Sequence, residues 1–421
     1  MIYNLFSYIL LPFVVLKLYY RSIKAKDYRK RIQERFGFVP CICEKEPIWI
    51  HAVSVGEFIA AAPLIKEIQK RSPDKTILIT TTTPTGSQRV IDTFGDSISN
   101  GLVFHCYAPY DTPGFVKRFL KRTKPSTLII METEIWPNII SLTKKSGSRV
   151  FLANARLSEK SLSGYSRFQR IVGSALNCFD MIFTRSQTDL NNFIQLGAPQ
   201  ERTVIAGNIK YDLSIPESIN AKKAEFLKNI IGIDRKIIVA ASTHDGEEKI
   251  VLDSYRQILK NSEDNLLLII VPRHPERFNS VTEEIKQSGL SFARRSTNEK
   301  CHHKQVFLAD SMGEMLLFFS VAKVAFIGGS FSNTGGHNPL EALAFGVPVI
   351  SGPDTFNFTD EYNGITTEQC GIVVDNKDML GQQIEKIINA AKSDNLSEKC
   401  LQFIEKNRGA IRKICDEIIT E

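Results

Sequence analysis

The chain has 421 residues, of which 43% are hydrophobic and 24% charged, with a formal net charge of +7. This balance excludes a disordered polypeptide, and the length allows two domains of ordinary size. The modest positive excess is uneven: Lys17, Arg21, Lys24, Lys26, Arg29, Lys30, Arg31 and Arg35 face only Asp27 and Glu34 between residues 17 and 35. Nucleic acid or an anionic membrane could be the partner of such a run.

The residues just before it favour the membrane. MIYNLFSYILLPFVVLKLYY opens the chain, with Tyr3, Tyr8, Tyr19 and Tyr20 suited to an interface. Its apolar part is slightly short for a bilayer span, which takes about 20 residues. It also lacks the basic start and small-residue cleavage site of a signal peptide. The segment reads as an uncleaved anchor, spanning or shallow, with the basic run toward anionic lipid and the rest of the chain cytoplasmic. A buried N-terminal helix packed on the domain is the alternative. Membrane lipid is thus an expected partner and nucleic acid is not.

Residues 47–71 read as a buried strand, PIWIHAV, a turn at SVG and a helix with apolar positions at helical spacing. Glu57 falls at the start of that helix, where a carboxylate can do chemistry or merely favour the helix dipole. TILITTTTPTGSQRVIDTF is a second strand–turn–helix unit, GLVFHCYAPYD a third strand, and GFVKRFLKRTKP a basic amphipathic helix. STLIIMETEIWPN then ends a strand in two acids, Glu132 and Glu134, which alternation would point to one side. NARLS (154–158) follows another strand, and GNIKYD (207–212) places Lys210 after a further one.

Residues 213–235 are polar and helical, and the alternation then restarts. KIIVAASTHDGEE and NLLLIIVPRHPERF are strands, the second ending in Pro272 and Arg273. Arg273, set between prolines, suits a bidentate phosphate grip; a surface pair with Glu276 is the plain alternative. QVFLADSMGEM leads through Gly313 to a helix starting near Glu314 and Met315. FIGGSFSNTGGHNPLEALAFGVPVISGP (326–353) is strand, glycine-rich turn, helix and strand. In it Asn338 and Pro339 suit a helix start, Leu340 and Glu341 its first turn, and Glu341 could accept ribose hydroxyls. Exposed N–H groups there would suit an anion, although such turns also serve ordinary βαβ construction.

The expected fold is α/β, with two Rossmann-like domains facing a cleft: an anchor at 1–22, a first domain at 23–212 and a second at 213–421. The eight cysteines (Cys41, Cys43, Cys106, Cys178, Cys301, Cys370, Cys400 and Cys415) contain no CxxC pair, so free thiols in a reduced compartment are expected. No acidic pair is placed to require a divalent metal, and no cofactor is implied.

HAVSVGE (51–57), TTTTPTGSQRV (80–90), METEIWPN (131–138), NARLS, GNIKYD, STHDGEE (242–248), VPRHPERF (271–278), DSMGEM (310–315) and GGHNPLEA (335–342) occur in this order. Together with the short anchor and basic run, they resemble the 3-deoxy-D-manno-octulosonic acid (Kdo) transferases of Gram-negative bacteria, across nearly the whole chain. The resemblance implies a GT-B glycosyltransferase moving Kdo, with inversion, from CMP-Kdo to a lipid A precursor (lipid IVA) in lipopolysaccharide synthesis. It implies Glu57 as general base, with Glu132 and Lys210 stabilising the transition state. It assigns CMP contacts to Pro272, Arg273, Gly313, Glu314, Met315, Asn338, Pro339, Leu340 and Glu341. CMP-Kdo is then a donor substrate, not a cofactor. Glu134 reads as structural, and His51, Ser54, Thr243 and His244 as wall residues.

Overall fold

The computed structural model describes residues 2–419, apart from 233, 263, 264 and 391–394. The first residue of the expected anchor and the last two of the C-terminal segment lie outside the described residues. The chain forms two compact units, residues 1–212 with 408–421, and residues 213–407.

Unit 1 holds a seven-stranded parallel sheet of β1 (Ile48–His51), β2 (Ile77–Thr81), β3 (Val103–Tyr107), β4 (Thr127–Met131), β5 (Arg149–Ala155), β6 (Met181–Thr184) and β7 (Thr203–Ile205). The order is β3-β2-β1-β4-β5-β6-β7. β1, β2 and β4 are buried along their whole length, as expected for parallel strands covered by helices on both faces. The strand order reverses between β1 and β4, and open α/β sheets bind ligands at such a switch point. Beside it, Thr80 Oγ1 accepts the Trp49 Nε1 hydrogen at 2.8 Å and lies 2.9 Å from His51 Nδ1.

Unit 2 repeats the design with β8 (Lys236–Thr243), β9 (Leu266–Pro272), β10 (Phe292–Arg294), β11 (Val306–Leu308), β12 (Val324–Ile327), β13 (Val349–Ser351) and β14 (Gly371–Val373). Its order, β10-β11-β9-β8-β12-β13-β14, reverses between β8 and β12. The three-residue edge strand β10 has no clear sequence signal; it forms by pairing with β11.

Two expectations change. The second domain does not run to the C-terminus: helix Ala410–Ile418 belongs to unit 1, where Ile411, Ile414, Cys415 and Ile418 join the core of Leu64 and Ile65. Asp212 secures this return, its two carboxylate oxygens accepting the Gly409 and Ile411 N–H groups at 2.6 Å each. Asp212→Ala is expected to lower stability by about 1–3 kcal/mol, read by urea unfolding, because charged acceptors of helix-start N–H groups are lost.

The basic run is also only partly available to lipid. Arg35 is buried over the Tyr107 ring and donates to the Thr82 carbonyl, while Arg31 pairs with the buried Glu34 at 2.8 Å. Both are domain contacts. On the basic amphipathic helix Pro113–Thr123, Arg118 and Arg122 likewise donate to the Phe36 and Val39 carbonyls. Helix Ile2–Lys24 leaves Leu5, Phe13, Leu16 and Tyr20 exposed, and it is long and apolar enough over Tyr3–Ile23 to cross a membrane. The helix is mostly exposed but also touches the domain, Tyr3 donating to Asp111 at 2.6 Å and Tyr8 accepting the Gly114 N–H at 2.9 Å.

Candidate active site

Helix Val55–Arg71 begins beside the switch point of the first sheet, with Ser54 as its N-cap. Ser54 Oγ accepts the Glu57 N–H at 3.2 Å, and Glu57 Oε2 accepts the N–H groups of Ser54 at 3.2 Å and Val53 at 2.5 Å. This reciprocal capping box fixes the carboxyl group in a single pose. The side chain is almost fully buried. Burial pushes its pKa up to about 8, and the nearby charges of Glu134 and Glu132 add to the rise, against the two backbone hydrogen bonds.

Glu132 and Glu134 do reach this region, but alternation along a strand is not the reason. β4 ends at Met131, and Glu132 adopts a left-handed φ of 57°, held by donation of its N–H to the Ala153 carbonyl at 2.9 Å. That backbone state costs a non-glycine residue about 1–2 kcal/mol, a strain typical of functional turns. Glu134 accepts from Trp136 Nε1 at 2.5 Å, and burial raises its carboxyl pKa. Its charge acts on Glu57 more strongly than that of Glu132, so the structure draws a residue read as structural into the acid cluster.

Lys210 lies in the turn Ile209–Tyr211, which packs on the Glu57 helix. Asn208 Oδ1 accepts its N–H at 3.1 Å, and Asn154 Oδ1 accepts that of Ile209 at 3.2 Å. Asn154 is itself left-handed, at a register shift between β5 and β6. The turn is thus tied to the end of β5, although the field at Glu57 is set chiefly by Glu134 and Glu132.

A cavity of about 530 Å³ lies against the N-terminal helix. Leu10, Val14, Lys17 and Arg21 of that helix line it, facing Val53 and Trp136, which flank the acid cluster. Its wall is mainly apolar, with Lys17, Arg21, Arg35 and Asp111 as its charged members.

In unit 2 the expected nucleotide residues divide into available and committed groups. Pro272 ends β9, and Arg273 is exposed with no ion-pair partner among the described residues. The neighbour engaged in structure is Arg277, which grips the buried Glu248 at 2.5 and 3.1 Å and reaches Asp245 at 3.1 Å. Gly313 takes a φ of 81° before the seven-residue helix Met315–Val321, whose N-cap is Glu314. The Glu314 carboxylate is held by Arg295 at 2.8 Å, so what this turn offers a ligand is backbone.

The helix expected from Asn338 through Phe345 is a single turn, Leu340–Leu343. Pro339 occupies the N-cap, and Asn338 Oδ1 accepts the Leu340 N–H at 3.1 Å. So short a helix has little macrodipole, and any anion binding there rests on individual groups. Glu341 is half-buried, its pKa raised by burial, with no hydrogen-bond partner among the described residues. Its carboxylate is open to hydroxyl donors.

One organiser went unnoticed in the sequence. Glu247, 1% exposed, accepts four backbone N–H groups: His244 and Gly329 at 2.8 Å, Ser330 and Phe331 at 2.9 Å. The glycine-rich turn after β12 therefore spends these N–H groups on an internal carboxylate rather than on a ligand phosphate. Only its position in STHDGEE hinted at a role. Among the described residues no group of three or more His, Cys, Asp or Glu is arranged to hold a metal ion, and all eight cysteines are free.

Residues 30–213 match the family described as 3-deoxy-D-manno-octulosonic-acid transferase (kdotransferase), and residues 236–409 match glycosyl transferases group 1. The chain is 41% identical over 400 residues to the 3-deoxy-D-manno-octulosonic acid transferase of Haemophilus influenzae, covering 94% of this chain and 92% of that one. It is 32% identical to the Bordetella pertussis enzyme of the same name over 377 residues, 88% of this chain and 86% of that one. Among solved structures, the UDP-GlcNAc 2-epimerase of Neisseria meningitidis aligns with a TM-score of 0.59 at 14% identity, covering 89% of this chain and all (100%) of that one; this likeness concerns the fold alone. Two Rossmann-like units on one chain give a GT-B-like architecture, and by sequence the chain belongs to the 3-deoxy-D-manno-octulosonic acid transferase family.

Proposed function

We propose that this transferase takes Kdo from CMP-Kdo and delivers it, with inversion at the anomeric carbon, to a hydroxyl of lipid IVA. The observation that carries the chemistry is Glu57, a buried carboxyl fixed by its capping box with a pKa pushed up to about 8. A carboxylate with so high a pKa is a strong base for an attacking hydroxyl, and its environment favours the form that has gained the proton. Glu132 and Lys210 would balance charge as the sugar–phosphate bond opens, since the donor brings a carboxylate and a departing phosphate.

The donor would be held by Arg273 on phosphate, Glu341 on ribose hydroxyls, and the backbone of Gly313, Glu314, Met315 and Asn338, with Pro272, Pro339 and Leu340 shaping the walls. Exposed Arg273 and unpartnered Glu341 support this division. The mainly apolar cavity, with Lys17 and Arg21 in its lining, suits an acceptor with acyl chains and phosphates. An acceptor of that kind implies work at the cytoplasmic face of the inner membrane, which the exposed apolar N-terminal helix also favours.

The test is incubation of the purified protein with CMP-Kdo and tetraacyl lipid IVA, followed by mass spectrometry of the lipid. Mass gains equal to Kdo residues are expected. A lipid that stays unmodified while CMP-Kdo is consumed would rule out this acceptor.

A further inference from the structure

Two histidines from different loops touch at the switch point of the second sheet. His244 follows β8 and His337 follows the glycine-rich turn after β12; their Nε2 atoms lie 2.8 Å apart. The ring centroids are 5.0 Å apart and the planes 13° from parallel, so the rings meet edge to edge through their Nε2 atoms. His274, after β9, sets its ring edge-on against His244 at 5.4 Å and 85°. One Nε2 must donate and the other accept, so the neutral pair consists of opposite tautomers sharing one proton.

The contact is built into the fold. Glu247 binds both loops, accepting N–H groups from His244 on one side and from Gly329, Ser330 and Phe331 on the other. A register shift at Ser242, with φ of 55°, turns the chain just before His244. Gly329 lies against the other ring, where a Cβ would come within 3.0 Å of His337 Cδ2 and 3.1 Å of its Nε2.

The surroundings are cationic. His244 faces Glu247, His274, Arg273 and Arg277; His337 faces His244, Arg273 and His274. The only carboxylate in this set, Glu247, is already engaged by four N–H groups. Burial first, then the neighbouring positive groups, hold His337 down at about 4, and burial also lowers His244. At neutral pH the pair is thus uncharged, with the exposed Arg273 guanidinium near it and that of Arg277 already engaged by Glu248 and Asp245. An arriving anion offsets the part of that low basicity that comes from the neighbouring positive charges and offers the added proton an acceptor.

We propose that the His244–His337 pair docks a phosphate monoester and takes up a proton as it does so. The proposal rests on the CMP-Kdo reading and identifies what would hold the leaving group. As the sugar–oxygen bond breaks, its electron pair stays on the phosphate oxygen. The proton taken up then lies between the imidazoles and that oxygen. The sugar carbon bonds to the acceptor oxygen, whose own proton goes to the base.

The experiment is calorimetric titration of the full chain near neutral pH with CMP, cytidine and inorganic phosphate, in buffers of different ionisation enthalpy. Wild type should take up as much as about one proton per CMP bound and none with cytidine. His244→Gln and His337→Gln should bind cytidine as wild type does, but lose CMP affinity by about tenfold or more and lose the proton uptake. CMP binding without uptake by wild type, a readout independent of how the variants fold, would overturn the proposal; so would undiminished uptake in both variants. If CMP fails to bind wild type, the nucleotide reading falls; phosphate binding with histidine-dependent uptake would still uphold the docking site, and its absence would refute both.

Discussion

Glu57→Gln is expected to lower kcat/KM for sugar transfer by about 10²–10⁴-fold while leaving CMP affinity unchanged. Glutamine keeps a carbonyl oxygen for the Val53 and Ser54 N–H groups, so the capping box and the helix start can persist. What it removes is the ability to accept a proton. The wild-type pH profile should carry the same signature: activity needs the ionised carboxylate, so kcat/KM falls as pH drops below about 8. A profile flat across that range, or a variant with near-normal turnover, would remove Glu57 as the base.

Stability gives an independent check of the same shift. The folded pKa, about 8, lies above the ordinary carboxyl value of 4.5, so the folded state binds more protons between these limits. Stability contributed through Glu57 is therefore present at low pH and declines as pH rises through about 8. The glutamine variant should lack that decline in urea unfolding. Loss of turnover without loss of stability separates a reacting group from a structural one.

Glu247→Gln is expected to destabilise unit 2 by about 2–5 kcal/mol and to abolish detectable CMP binding. The wild-type carboxylate satisfies four backbone N–H groups with two oxygens in a nearly solvent-free position. An amide offers one oxygen and sets its own NH₂ against donors, leaving about two N–H groups buried without acceptors. The turns carrying His244 and His337 would then separate. Urea unfolding and CMP titration read the two effects. A change below about 1 kcal/mol with normal binding would mean that other contacts hold these loops.

Much of this protein was legible in its residues. Apolar runs such as TLIIM and LLLIIV, each bounded by turn residues and followed by a helix, can be buried only in parallel sheets covered on both faces, so two Rossmann-like units followed from pattern alone. Glu57 was visible as a helix-start carboxylate after a strand, and the long ordered motifs carried the family. The short strand β10 and the one-turn helix Leu340–Leu343 were not legible, because partners across the fold, rather than local propensity, determine so few residues.

Tertiary structure alone decided which side chains meet. The apolar spacing of Ala410–Ile418 requires a surface to cover, but only contact with Asp212 and the Leu64–Ile65 core assigns it to unit 1. Arg31 and Arg35 look like lipid-facing cations until Glu34 and Tyr107 claim them. Glu134, a bystander in METE, becomes a major source of the field at Glu57 because the chain turns back at a left-handed Glu132. His244 and His337, 93 residues apart, meet because the strand order reverses between β8 and β12. Periodicity and turn chemistry act between near neighbours and can be read along the chain, whereas hydrogen bonding and charge act through space and depend on how the sheets order their strands.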